Sequence, residues 1–236
     1  MIFLTELKAD AEGVFLERIN KFLGIAELSY PHEGRHHVHI HDPGRLDDIL
    51  EAGRRILLKR GRGERRKTKW DIVAGWNGYW ILIHSGYHRI ISEEILGNEK
   101  ASPFGKADGI IAEKKYGESR LDFVVTKNGR EIWVEVKGCT LEKGGKALFP
   151  DAPTERGRKH LETLVELRNK GYGASVIFLI FRREAKCFLP NISIDTRFAD
   201  AFYNAMDAGV DIHALRIIYE EGKIYFDGEI PVCGRR

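Results

Sequence analysis

The sequence predicts an α/β (α+β) protein in which a small all-β part precedes an α/β sandwich. Short apolar segments separated by turn residues fill the first third of the chain. An amphipathic helix is predicted at Thr154–Lys170, and a continuous apolar strand follows at Gly173–Phe181. Because such a strand is typical of a sheet covered on both faces, the C-terminal part needs helices around its sheet. We therefore expect two domains, residues 1–85 and 86–236.

The first third of the chain resembles a small Greek-key barrel of the OB type. Asp42-Pro43-Gly44 interrupts the strand pattern before a predicted short helix at Arg45–Ala52. Barrels of this type commonly bind nucleic acid with one face and its loops. The predicted strands are Val14–Ile19, Gly24–Tyr30, Arg35–His41, Arg54–Arg60, Trp70–Trp76 and Tyr79–His84.

The remaining elements alternate between helix and strand, as an α/β sandwich requires. Apolar residues at helical spacing predict a helix at Tyr87–Leu96 and another at Asp195–Ala208. Terminal strands are predicted at Asp211–Tyr219 and Lys223–Phe226.

A predicted β-hairpin carries the strongest candidate site. Asn128-Gly129 joins the apolar segments Leu121–Thr126 and Glu131–Val136, and this dipeptide favours a two-residue turn. If these are the two loop residues, Asp122 lies opposite Glu135, and Lys137 shares their face because side chains alternate along a strand. The other face would carry Leu121, Phe123, Val125, Ile132, Val134 and Val136, which are all apolar.

Two facing carboxylates destabilise a sheet unless positive charge lies between them. Mg²⁺ (or Mn²⁺) held by Asp122, Glu135 and the Val136 carbonyl would supply that charge. Lys137 would then position a water molecule or stabilise charge on a phosphate. The alternative is a surface hairpin in which Lys137 simply pairs with the two acids.

A dense basic segment between Arg54 and Lys69 predicts contact with phosphates. A solvated loop is the alternative interpretation. The segment contains one acid, Glu64, and nine basic residues, which are Arg54, Arg55, Lys59, Arg60, Arg62, Arg65, Arg66, Lys67 and Lys69.

The helix that begins near Thr154 carries a second basic group. Arg156, Lys159 and His160 lie three and four positions apart and are expected to share a face near the helix N-terminus, where phosphate binding is favoured. A solvated helix face is the alternative. His37, His39 and His41 also alternate on one predicted strand, where contact with solvent or nucleic acid is favoured over a metal site.

Composition is that of a globular protein without a membrane span. The 236 residues are 43% hydrophobic and 31% charged, with a net charge of +3, and the longest apolar run is only Ala174–Phe181. Three distant cysteines, Cys139, Cys187 and Cys233, predict neither a disulfide framework nor a zinc site. We therefore expect a cytoplasmic protein without a signal peptide.

The whole chain resembles the sugar fermentation stimulation protein A (SfsA) family. The resemblance is carried by four blocks, His41–Leu46, Lys115–Phe123, Val134–Leu141 and Phe149–Leu161. It implies an N-terminal OB-like β-barrel, a C-terminal PD-(D/E)xK nuclease-like α/β sandwich and DNA binding linked to regulation of sugar-utilisation genes.

The nuclease motif that the resemblance implies falls on the predicted hairpin. Asp122 matches the first acid of that motif, Glu135 and Lys137 match its acid-x-Lys element, and Arg120 stands in place of the proline in its name. Glu93 matches a helical glutamate that many such enzymes use, although Glu94 is its neighbour. Arg45, in the first block, joins the expected nucleic-acid contacts.

We therefore predict a DNA-binding protein that hydrolyses phosphodiesters with a divalent metal. A DNA-binding regulator that does not cut is the first alternative. A sugar-binding protein is the second, since Trp70, Trp76, Tyr79 and Trp80 could stack on sugars, although aromatic residues at strand spacing are more often core.

Overall fold

The computed structural model describes residues 1–61, 63 and 66–234. Within these residues the predicted α/β class is confirmed: a barrel precedes a seven-stranded mixed sheet that packs against helices. No helix among the described residues is long and apolar enough to cross a membrane.

The N-terminal part forms the predicted barrel. Its strands follow the order β4-β3-β2-β5-β6-β7, and an additional parallel pairing of β4 with β6 closes the ring. Alternate side chains of these strands, such as Phe15, Ile56 and Ile72, fill its interior. The strands are β2 (Ala11–Asn20), β3 (Leu23–Leu28), β4 (Gly34–His39), β5 (Arg55–Arg60), β6 (Trp70–Trp76) and β7 (Trp80–Leu82).

The prediction of a helix at Arg45–Ala52 is wrong. The segment makes a single turn, in which the backbone N–H groups of Ile49 and Leu50 both donate to the Leu46 carbonyl. Leu46 has a φ of 55°, which a right-handed helix does not allow. Leu46, Ile49 and Leu50 are all buried, so packing into the core decides the backbone here.

The C-terminal sheet has the order β1-β16-β15-β13-β10-β9-β8. One of its faces packs on α2 and α3, while the other packs on α1 and the barrel in a second apolar cluster. The first strand of the chain, β1 (Ile2–Glu6), pairs with β16, so the segment 1–85 supplies one strand to this sheet. The remaining strands are β8 (Gly109–Tyr116), β9 (Ser119–Lys127), β10 (Arg130–Cys139), β13 (Gly173–Ile180), β15 (Asp211–Glu220) and β16 (Lys223–Ile230).

The three α-helices of the described residues are α1 (His88–Gly97), α2 (Glu155–Asn169) and α3 (Thr196–Asp207), and a short 3₁₀ turn at Ser85–Tyr87 leads into α1. Side-chain caps fix the starts of α2 and α3. The Thr154 hydroxyl accepts from Gly157 N at 3.1 Å, and Asp195 accepts from Phe198 N at 2.9 Å. Asp195 also accepts from Thr154 N at 2.9 Å, so the two helix starts are held together.

A small sheet of β11 (Glu142–Lys143), β12 (Lys146–Phe149) and β14 (Cys187–Pro190) lies beside the larger one. Cys187 is joined to Cys233 by a disulfide, while Cys139 is free and buried. The prediction that the cysteines form no disulfide is therefore wrong. Cysteine spacing along the sequence gave no signal because the pair is 46 residues apart and meets only through the fold.

Candidate functional site

The predicted hairpin turn is confirmed, and its predicted register is confirmed as far as the pair that precedes Asp122 and Glu135. Asn128 and Gly129 adopt φ values of 51° and 72°, as a tight hairpin turn requires. Lys127 pairs with Arg130, and the ladder continues to the pair of Phe123 and Val134.

Beyond that pair, the side-chain alternation of β9 breaks at Asp122. Leu121 and Phe123 are two residues apart, yet Leu121 packs with α2 and α3 while Phe123 packs with the cluster on the opposite face. The prediction that Leu121 shares the face of Phe123 is therefore wrong. On the neighbouring strand, Glu113 beside this point has a φ of 56°, so the sheet edge is distorted on both strands. Asp122 Oδ2 accepts a hydrogen bond from Val136 N at 2.7 Å, which holds its carboxylate against β10.

Glu135 is only 2% exposed and is surrounded by cationic and polar partners. Its Oε1 accepts from Lys137 Nζ and from His160 Nδ1. Arg156 Nε donates to His160 Nε2 at 3.4 Å, which assigns the ring proton of His160 to Nδ1. Among the described residues, Glu135 Oε2 is buried without a hydrogen-bond partner.

A cleft of about 660 Å³ lies between the barrel and the sheet. Asp122, Glu135 and Lys137 line it together, and we call these three residues the carboxylate centre. The sequence prediction and the structure agree on this grouping. The Val136 backbone also lines the cleft, although a role for its carbonyl stays a prediction.

The two carboxylates of the centre have opposite pKa shifts. Burial, and then the charge of Glu135, raise the pKa of Asp122 to about 6. Burial also acts to raise the pKa of Glu135, but hydrogen bonding to His160 and the charge of Lys137 outweigh it and lower that pKa. Glu135 is thus the fixed anion, and Asp122 is the acid whose ionisation needs additional positive charge.

The donors fit a hard divalent cation. Glu135 Oε2 is a buried oxygen without a partner, and such groups are rare unless a ligand, water or ion completes them. Asp122 adds a second carboxylate that a cation would favour in its ionised form. Oxygen donors of this kind are the ligands of Mg²⁺ and Ca²⁺.

The structure does not bring Glu93 into the cleft lining. Glu93 Oε1 accepts from Arg89 Nε at 2.9 Å, and Arg89 also reaches Glu113 at 3.0 Å. Arg89 and Glu113 line the cleft themselves. Glu113 is therefore a further acid of the cleft that the sequence analysis missed, because its place in the lining depends on how its strand packs beside β9. The roles of Glu93 and Glu94 stay predictions.

The opposite wall of the cleft comes from a loop of the barrel. Asp42 accepts from Gly44 N at 2.8 Å, and Asp151 accepts from Arg45 N at 2.8 Å, so the loop after β4 is joined to the segment before α2. A Cβ on Gly44 would lie 2.1 Å from Asp151 Oδ2, so this approach requires glycine. Burial is the main cause that raises the pKa of Asp42 to about 6. The sequence contains both motifs, but their contact is visible only in the fold.

Several of the predicted basic contacts have partners within the barrel. Arg54 pairs with Glu51, Arg55 with Glu12, and Arg66 with Asp71. Lys59 Nζ donates to the Lys8 carbonyl at 3.0 Å. The side chains of Arg45, Arg60, Lys67 and Lys69 belong to exposed residues, whereas Arg62 and Arg65 lie outside the described residues.

The predicted basic face of α2 divides in two. Arg156 and Lys159 are exposed, and both line a groove beside Ser119 and Arg120 of β9. His160 is buried and bonded to Glu135, so its main contact is the carboxylate centre rather than the open surface. Sequence spacing placed His160 with its cationic neighbours, but the helix turns its ring toward the sheet.

Comparisons with known proteins cover almost the whole chain. Residues 16–83 match the family described as the SfsA N-terminal OB domain, and residues 86–223 match the sugar fermentation stimulation protein RE domain.

Full-length relatives and a solved structure agree with these matches. A sugar fermentation stimulation protein homolog of Methanococcoides burtonii is 44% identical over 97% of this chain and 94% of its own length. A homolog of Thermotoga neapolitana is 42% identical over 97% of both chains. A solved structure of Pyrococcus furiosus SfsA in complex with Ca²⁺ superposes with a TM-score of 0.87 at 28% identity, covering 99% of this chain and 100% of that one. The chain therefore belongs to the SfsA family.

Proposed function

We propose that the protein binds DNA and hydrolyses phosphodiester bonds at the carboxylate centre with a divalent cation. The observation that carries this proposal is the buried Glu135 Oε2, which lacks a partner and lies in the same cleft as Asp122 and Lys137. As part of this proposal, we assign Asp122, Glu135 and Lys137 to the PD-(D/E)xK motif that the family resemblance implies. The similar Pyrococcus furiosus protein was solved with Ca²⁺, a cation with the same preference for oxygen ligands.

Each residue of the centre has a distinct task in this mechanism. Asp122 and Glu135 would hold Mg²⁺ or Mn²⁺, which when bound polarises a phosphate and lowers the pKa of a bound water. Lys137 Nζ orients the attacking water and offsets the charge that develops on the phosphate. His160 donates to Glu135 and thereby keeps that carboxylate ionised and fixed in place.

The DNA backbone would lie against exposed cations of α2 and of the barrel. Arg156 lines both the cleft and the neighbouring groove, and Lys159 extends that groove along α2. Lys67 and Lys69 are exposed on the barrel loop. Contacts to phosphate fix position but do not read sequence, so we expect weak sequence preference. The cytoplasmic location predicted from sequence belongs to this proposal as well.

The sugar-binding alternative has less support. Trp70 is buried in the barrel. Trp76 and Trp80 contact each other and both stack on Arg55, and the Tyr79 hydroxyl donates to Glu184. These contacts occupy the aromatic surfaces that a sugar would need.

The direct test is incubation of the purified protein with single-stranded and double-stranded DNA and RNA, with Mg²⁺ or Mn²⁺. We expect cleavage by the wild type and its loss in Glu135→Gln, with DNA binding retained in both. Binding without cleavage of any substrate would favour the regulator that does not cut. Cleavage that persists in Glu135→Gln would assign the activity to a contaminant or another site.

A further inference from the structure

Three polar residues from separate parts of the barrel meet at its end, next to the C-terminal domain. His41 follows β4, Asp71 is the second residue of β6, and His84 follows β7. The parallel pairing of β4 with β6, in which His39 lies beside Asp71, brings the first two together. We call His41, Asp71 and His84 the histidine cluster.

The cluster has the geometry of a metal site. One ligand atom from each residue lies within 4.8 Å of those of the other two. The rings of His41 and His84 stack with their centroids 3.7 Å apart and their planes 20° apart. Two nitrogen or oxygen ligands at about 2.0–2.1 Å from one ion lie at most about 4.2 Å apart, so only a small closure of the side chains is needed.

Two ring nitrogens of the cluster have no hydrogen-bond partner among the described residues. These two buried atoms are His41 Nε2 and His84 Nδ1. His41 Nε2 lies 3.4 Å from Asp71 Oδ1, but without the geometry of a hydrogen bond. Two adjacent buried nitrogens without hydrogen-bond partners are unusual in a folded protein, and each needs an explanation such as an ion or a water.

We propose that the histidine cluster binds a transition-metal ion of the Zn²⁺ class, separately from the cation of the carboxylate centre. Two imidazoles and one carboxylate are a common donor set for Zn²⁺, whereas Mg²⁺ and Ca²⁺ prefer oxygen. The ion gives both ring nitrogens a partner. It also joins β6 to the segments that follow β4 and β7. Two of these segments are already connected, since Ser85 Oγ donates to the His41 carbonyl at 2.7 Å.

Arg66 is the competing cation. Its guanidinium donates to Asp71 Oδ1, the same oxygen that faces His41. The residue is exposed, so the guanidinium can withdraw into solvent when the ion binds. Removal of this competitor should therefore tighten metal binding.

The test is a calorimetric titration of the full-length protein with Zn²⁺ after chelation, in excess Mg²⁺ so that the carboxylate centre is filled. We expect one equivalent of Zn²⁺ to bind to the wild type and to Asp122→Asn. His84→Ala and Asp71→Asn should weaken that binding at least about tenfold, a loss of the size that altered metal surroundings produce. His37→Ala is the matched control, since His37 is an exposed histidine of β4, the strand that His41 follows, and this variant should bind Zn²⁺ as the wild type does. Arg66→Ala should bind more tightly.

A second measurement does not depend on the folding of any variant. Co²⁺ added to the wild-type protein should give the visible d–d absorption of a nitrogen- and oxygen-ligated ion, and Zn²⁺ should remove it. Absence of this absorption together with absence of Zn²⁺ binding would overturn the proposal and leave water as the partner of the two nitrogens. Zn²⁺ binding that is lost in Asp122→Asn but kept in His84→Ala would also overturn it.

Discussion

The carboxylate centre and the histidine cluster lie on opposite sides of the same domain boundary but differ in chemistry. The first has two carboxylates next to fixed cations, with Lys137 and His160 both bonded to Glu135. The second has two imidazoles and one carboxylate, with Arg66 as its only cationic contact among the hydrogen bonds and ion pairs of the described residues. The first site thus offers only oxygen donors, whereas imidazole nitrogens predominate in the second, so the two proposed cations would be selected by ligand type.

The proposed division of roles between the two sites would be wrong if DNA cleavage did not depend on the carboxylate centre. We expect Lys137→Ala to lower DNA cleavage by about 10²–10⁴-fold, the range for loss of a group that acts on the transition state. Stabilisation of the protein by Mg²⁺ should remain, because Asp122 and Glu135 still bind the ion. Single-turnover cleavage and thermal denaturation with and without Mg²⁺ measure the two effects. Lys143→Ala, which changes an exposed lysine on β11, is the control and should cut like the wild type.

His88 lies between the two sites and should make stability depend on acid pH. Its ring stacks on Phe181 with a centroid distance of 5.2 Å, and burial lowers its pKa from 6.5 to about 4. The unfolded chain therefore binds a proton at His88 before the folded protein does. This contribution to stability is fully present above about pH 6.5 and is lost as the pH falls through 4, a loss of about 3 kcal/mol.

Chemical denaturation of the wild type and His88→Gln across that pH range tests this expectation. The free energy of unfolding of the wild type should fall more steeply with acid than that of the variant. Parallel curves for the two proteins would show that the His88 ring is solvated and titrates normally.

Asp122 should make stability change with pH in the opposite direction from His88. Its folded pKa of about 6 lies above the ordinary value of 3.8, so its favourable contribution is present below about pH 4 and is lost as the pH rises through 6. At pH 7 without metal, Asp122→Asn should be more stable than the wild type by about 1–3 kcal/mol. Mg²⁺ should reduce this difference in stability, because it stabilises only the wild type, in which the carboxylate centre is intact. If Asp122→Asn were less stable than the wild type in the presence of a chelator, the idea that too little positive charge lies near Asp122 would be contradicted.

The sequence was sufficient for the carboxylate centre because its residues lie on one hairpin. The Asn128-Gly129 turn fixes the register, and register fixes which side chains meet. The same reasoning failed at Leu121, which lies beyond the last pair of β9 with β10 and packs on the face opposite to Phe123. Amphipathic periodicity likewise predicted α2 to within one residue at each end.

Features that depend on distant contacts were beyond local patterns. The histidine cluster joins residues from three separate parts of the barrel, and the alternation of His37, His39 and His41 along the sequence includes only one of them. The Cys187–Cys233 disulfide and the contact of Arg45 with Asp151 likewise connect segments that are far apart in sequence. At Arg45–Ala52, burial of Leu46 and Ile49 in the barrel overrode the helical pattern.

The smallest expected effect is on the salt dependence of DNA binding by the basic residues of the barrel. Some of these residues pair within the protein, and others are exposed and could contact DNA. Arg55 is held by Glu12 at 2.6 Å and stacks between Trp76 and Trp80, whereas Lys67 and Lys69 are exposed. The plot of log K against log salt for duplex DNA should lose about 0.9 in slope for each phosphate contact removed. Replacement of both Lys67 and Lys69 by Ala should therefore flatten the slope by nearly two and weaken binding to all DNA sequences alike. Arg55→Ala removes the same charge from a side chain that is already paired, so its slope should stay close to that of the wild type. Equal slopes for the double variant and the wild type would show that the loop is only solvated and that DNA lies against α2 alone.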